Sequence, residues 1–218
     1  MLKLLNGIVE FRRNLSPQAQ QKLADLALGQ SPKAAYAGCG DSRVDPRHFA
    51  STEPGDMFVH RNAGNLIPAY PRASHDSGTA AFVELALSNP SVTDFIVCGH
   101  QRCRAIEMLL GGLDKVDKPH LRNWLSHAEE SLERFRTGYA LDRRLAPHDQ
   151  LSQINVLTQL DHLKTYPDVV ERLALGTLRL HGWWFELENP TVHAHEERER
   201  RFVPIDEAYV ERYQAGLG

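Results

Sequence analysis

The chain has 218 residues, with 25 Lys and Arg nearly balancing 28 Asp and Glu for a net charge of −3. Apolar residues at 42%, charged residues at 24% and only 15 Gly and 12 Pro exclude a disordered, collagen-like or coiled-coil chain and fit one domain over 1–218. A near-neutral chain lacks the basic footprint of a nucleic-acid binder, and no apolar run reaches the about 20 residues of a membrane-spanning helix, so neither partner is expected.

Met1-Leu2-Lys3-Leu4-Leu5 begins like a signal peptide, but Asn6, Gly7, Glu10, Arg12 and Arg13 interrupt it, so a cytoplasmic protein is expected. Residues 1–15 read as an amphipathic helix with Leu4, Leu5, Ile8, Val9 and Phe11 apolar. Ser16 caps a second helix, Pro17 opens it and Gly29 closes it. Nothing downstream obviously covers the first apolar face, so residues 1–30 are expected to form a helical arm that packs on a partner subunit. Residues 34–38 and 56–61 read as strands. A helix from about Asp76 to Asn89 should turn Phe82, Val83, Leu85 and Ala86 inward. A third strand over 92–98 should end at Gly99, with helix resuming over 102–110. The span 119–175 reads as at least three helices, with Pro147 and Pro167 at N-terminal ends, before a late aromatic strand over 178–187. This alternation predicts an α/β fold with a mostly parallel central sheet flanked by helices, whose ligands bind beyond the carboxyl ends of the strands.

Two segments fall at such ends, Cys39-Gly40-Asp41-Ser42-Arg43 and Gly99-His100-Gln101-Arg102-Cys103. Cys39, His100 and Cys103 together make a catalytic zinc set, three protein ligands with a fourth position left open, and thiolates favour zinc over hard cations. The same spacing also arises by chance, in which case Cys39 is a small buried hydrophobe. Cys98, inside the third strand, is read as core. Asp41, two residues past Cys39 on an extended segment, points to the same side and can accept the proton of metal-bound hydroxide. Arg43 would clamp Asp41 in a charge-assisted pair; the alternative is a surface ion pair in a loop.

These segments resemble the β-class carbonic anhydrases. Pro54-Gly55-Asp56-Met57-Phe58-Val59-His60-Arg61-Asn62-Ala63-Gly64-Asn65 is similar to that family's Pro-Gly-x-x-Phe-Val-x-Arg-Asn-x-x-Asn segment. Asn155-Val156 through Tyr166-Pro167 and His181-Gly182-Trp183 match two further motifs, so the resemblance spans about 30–205. It implies reversible hydration of carbon dioxide to bicarbonate and a proton by zinc-bound hydroxide. One zinc ion per chain would sit on Cys39, His100 and Cys103, with Asp41 and Arg43 as the catalytic dyad. In closed members of the family the residue matching Asp41 becomes a fourth ligand; Ala63-Gly64 leans toward the open subgroup. The resemblance also implies a homodimer or homotetramer with sites at the dimer interface, and a substrate pocket that includes Val59, Gly99, Leu85 and Glu53. Arg104 replaces a usual Gly, Leu85 a frequent Tyr, Glu53 a Gln found in some members, and Phe185 a frequent Tyr.

Alternatives on the same scaffold are a CS₂ or COS hydrolase and a non-catalytic bicarbonate-binding member. Ser42 as an esterase nucleophile lacks a late Asp-x-x-His, and Cys39 with Arg43 lacks the five intervening residues of a thiol phosphatase loop. His193, His195 and Glu196 beside Glu197-Arg198-Glu199-Arg200-Arg201 read as a solvated hairpin tip rather than a second metal site. Alternation places one of Trp183 and Trp184 inward and the other outward.

Overall fold

The computed structural model describes residues 1–75 and 77–217, so Asp76, where a helix start was expected, lies outside the described residues. The chain opens with α1 (Leu2–Asn14) and α2 (Pro17–Leu26), and the Ser16 hydroxyl caps α2 by accepting the Ala19 N–H at 3.1 Å. Neither helix contains a buried residue. There follow β1 (Ala34–Cys39), the single turn α3 (Pro46–Phe49), β2 (Met57–Asn62), α4 (Ser77–Leu87), β3 (Asp94–His100) and α5 (Arg104–Gly111). The helical stretch comprises α6 (Pro119–Leu125), α7 (Glu129–Arg136), α8 (Pro147–Leu163) and α9 (Pro167–Ala174), each proline helix starting where its fixed φ suits a first turn. Strands β4 (Arg179–Glu186), β5 (Thr191–Glu196) and β6 (Arg201–Pro204) and helix α10 (Glu207–Leu217) complete it.

The sheet order is β2-β1-β3-β4-β5-β6, with β2, β1, β3 and β4 parallel and the last two strands added antiparallel. Residues 197–200 form the turn between β5 and β6, as the mixed-sign run suggested. Glycines on β3 and β4 let α8 lie close to the sheet, since a Cβ at Gly99 or Gly182 would meet Val156, and Ala35, Ala37 and Val97 share one core with Val156, Leu160 and Leu163. A second core joins Cys39, Cys103, Ile106 and Leu109 to Leu125, Leu132 and Leu151 beyond the strand ends. On the opposite face Tyr36, Ile96 and Cys98 are covered by Phe49, Met57 and Trp183. Trp184 is the inward tryptophan, with its indole N–H donating to Ser152 Oγ at 3.1 Å.

Two expectations are corrected. Strand β3 does not stop at Gly99 but runs on to His100, because Gly99 and His100 remain paired with Trp184 and Phe185. Leu85 does not face inward; it is 62% exposed. Helix α4 buries Thr79, Ala80, Val83, Ala86 and Leu87, and Leu85 lies about 200° round the helix from Val83.

Candidate metal centre and active site

From β1 the chain moves to β2 on one side, and β3 then joins on the other, so a crevice opens at the carboxyl ends of β1 and β3. This is the switch point at which parallel sheets bind ligands. Cys39 is the last residue of β1 and His100 the last of β3. Cys103 is the N-cap of α5, where the amides of Ala105 and Ile106 face its sulfur. The three donor atoms lie within 4.8 Å of one another, and all three residues are buried. Among the described residues no other group of three such donors converges in this way.

The orientation of His100 follows from one bond. Its Nδ1 lies 2.8 Å from the Gln101 carbonyl, an acceptor only, so Nδ1 carries the proton and Nε2 presents a lone pair to the two sulfurs. That Nε2 is buried and has no partner within the chain. The sulfurs are 3.8 Å apart. The hydrogen bond from the Cys103 thiol outweighs burial and holds Cys39 well below the usual thiol range. The proton left on Cys103, beside that thiolate and buried, is held well above the usual thiol range. A metal ion can replace that shared proton.

Asp41 stands at the rim, its Oδ2 4.0 Å from His100 Nε2. Arg43 holds it three ways: Nε to Oδ1 at 2.9 Å, Nη2 to Oδ2 at 2.7 Å, and the backbone N–H to Oδ1 at 2.9 Å. This clamp keeps the Asp41 carboxyl well below the usual carboxylate range. The pair lies at the edge of the crevice, with Arg43 about half exposed and Asp41 largely covered.

The turn between Cys39 and Val44 is itself held from β2. Arg61 donates to the carbonyls of Cys39 (3.0 Å), Asp41 (2.6 Å) and Val44 (2.5 Å). Arg61 belongs to the Phe-Val-x-Arg-Asn segment with no role expected from sequence, and its signal there is an arginine inside the strand beside the one that ends in Cys39. Gly99 abuts α8: a Cβ there would come within 2.8 Å of Val156 Cγ2 and 3.2 Å of Ser152 Oγ. Its smallness therefore serves the packing of β3 on α8. The other three expected pocket residues are not drawn into the cluster within one chain. Val59 is 43% exposed on β2, Leu85 faces solvent, and Glu53 forms an ion pair with Lys22. Arg104 points to solvent toward Glu107 at 3.8 Å, and Phe185 stacks on Phe49 with ring centres 5.1 Å apart.

A carbonic anhydrase family model matches residues 34–192. The solved structure of the β-carbonic anhydrase CcaA superimposes with a TM-score of 0.86 at 35% identity, over 94% of this chain and 98% of that one. The chain belongs to the β-carbonic anhydrase family. The Pseudomonas aeruginosa carbonic anhydrase is 36% identical over 207 residues, covering 95% of this chain and 93% of its own. One from Synechococcus elongatus is 37% identical over 198 residues, 88% of this chain and 70% of its own. Membership makes this β-carbonic anhydrase an enzyme whose family reaction is the hydration of carbon dioxide. No helix among its described residues is long and apolar enough to cross a membrane.

Proposed function

We propose that this β-carbonic anhydrase interconverts carbon dioxide and bicarbonate at a zinc ion held by Cys39, His100 and Cys103, with Asp41 and Arg43 as the catalytic dyad. The observation that carries the reading is the unpartnered, buried Nε2 of His100 facing two sulfurs, beside a carboxylate that Arg43 holds to one side. Two sulfurs and one imidazole nitrogen suit zinc and leave a tetrahedral position open. Zinc bound there would supply a Lewis acid that acidifies water in the open position.

The chain's own residues do the rest. Asp41, ionised and rigidly held, accepts a hydrogen bond from the attacking water and so fixes the direction of its lone pair. Arg43 keeps Asp41 in that place and prevents it from turning into the cluster as a fourth ligand. The buried Cys39 and Cys103 set the dry floor of the site, while the rim at Asp41 and Arg43 stays open to solvent. The apolar face of α1 is read as the contact with a second copy of the chain, in a dimer or tetramer whose members complete one another's pockets. A cytoplasmic setting fits three unpaired cysteines.

The test is stopped-flow carbon dioxide hydration on protein whose zinc has been counted. One zinc per chain with rapid hydration is expected. Cys103→Ser should lose metal and rate together, and Asp41→Asn should keep the metal and lose about 10²-fold or more in rate. Full zinc occupancy with no hydration at any pH would overturn the reading and favour a sulfur-analogue substrate or a binding role.

A further inference from the structure

Contacts run in series from the first turn of α8 to the dyad. Asp149 Oδ1 accepts the backbone N–H of Arg102 at 2.6 Å. The Arg102 carbonyl accepts from Arg43 Nη2 at 3.0 Å, and the same Nη2 holds Asp41 Oδ2 at 2.7 Å. Arg102 sits at φ +54°, in the left-handed region, although it has a bulky side chain. Such a conformation persists only where its surroundings over-determine it.

Three groups hold Arg102: Asp149 at its N–H, Arg43 at its carbonyl, and Glu188 at its guanidinium (2.5 and 3.1 Å). The Glu188 pair is more than half exposed on both sides, the class of contact that contributes little. Asp149 is 3% exposed, and a buried carboxylate is costly unless its oxygens are used. Its other oxygen lies 3.5 Å from His148 Nε2. The buried bond is therefore the strong one.

We infer that Asp149 is a positioning residue for the dyad, holding Arg102 in the backbone conformation whose carbonyl anchors Arg43, which in turn keeps Asp41 out of the metal cluster. The inference rests on the dyad reading above and extends it to a residue of α8 that touches neither ligand side chains nor substrate.

The experiment compares Asp149→Ala, Asp149→Asn, Asp41→Asn and the double variant Asp41→Asn/Asp149→Ala, each assayed with its zinc counted and again after replacement by cobalt(II). Asp149→Ala is expected to keep one metal per chain and lose about tenfold in kcat with KM little changed. Its cobalt absorption spectrum should move as the released Asp41 carboxylate enters the coordination sphere. Asp149→Asn, which keeps an acceptor oxygen, should restore most of the rate and the wild-type spectrum. The double variant should be no slower than Asp41→Asn. Should the alanine variant not fold, Asp149→Ser is read in the same way.

Wild-type kcat and spectrum in Asp149→Ala would overturn the inference while leaving the dyad standing, provided Asp41→Asn is slow. Loss of zinc in step with loss of rate would also overturn it, reducing Asp149 to a packing role. A fully active Asp41→Asn would sink the dyad reading itself, and the brace with it.

Discussion

The guanidinium of Arg43 reaches both oxygens of Asp41 and the carbonyl of Arg102, so a single side chain joins the loop after β1 to the turn after β3. Lysine could not do this, because a point charge lacks the planar fork that meets a carboxylate with two parallel bonds. At the other end of the sheet Asp94 plays a comparable part in stability. It accepts from Arg179 (2.8 and 2.7 Å), His181 (2.8 Å) and Thr93 (2.7 Å). Burial alone would raise its pKa, but those hydrogen bonds outweigh it and hold the carboxyl well below the usual range. A carboxyl depressed in the folded state contributes stability that is present above its unfolded value, about pH 4, and is lost as pH falls from there. Asp94→Asn should therefore lower stability at neutral pH and flatten part of the acid limb when the urea midpoint is followed against pH. An unchanged acid limb would assign that limb to other carboxylates.

Helix α8 is the element that carries most of the site's architecture. It is buried on nearly all sides, and its polar residues bond to segments far away in the chain. Ser152 donates to the His100 carbonyl at 2.9 Å, Asn155 to the Gly64 carbonyl at 3.0 Å, and Gln159 accepts the Ile67 N–H at 2.7 Å. These bonds fix the 62–67 loop, whose Gly64 amide faces the Cys39 sulfur. Asn155 also accepts from Ser131 at 3.1 Å and Gln159 at 3.0 Å, so its removal leaves several buried groups unpaired. Asn155→Ala is expected to cost about 1–3 kcal/mol for each orphaned group it leaves, read from urea unfolding, and to weaken zinc retention through the loosened loop. A variant of wild-type stability would show that water replaces the amide.

For the whole molecule the unanswered surface is α1. Leu4, Leu5, Ile8, Val9 and Phe11 are each more than half exposed, and a 13-residue helix without buried contacts is marginal in water. A second copy of the chain is the proposed cover. Ile8→Glu combined with Phe11→Glu should shift sedimentation velocity toward smaller species. Boundaries identical to wild type would place the subunit contact elsewhere.

Legibility followed the range over which each feature is determined. The parallel strands and the convergence of Cys39, His100 and Cys103 were readable because each lies on a short segment whose residue types and spacing already constrain it. Leu85 was misread because the rotation of α4 is set by what it packs against, and its own sequence is apolar on several sides. The extra residue of β3 past Gly99 depends on its pairing with β4. Strands β5 and β6 carry weak local patterns and form where β4 offers an edge to β5 and β5 offers one to β6. Arg61 and Asp149 reach partners 20 and 47 residues away, a relation no local periodicity encodes. The sequence by itself determined which donor side chains stand at the strand ends, since residue type and strand–turn–helix order are local properties. Tertiary structure alone decided how that chemistry is held in place, since burial removes the competing water and brings together groups that the chain order keeps apart.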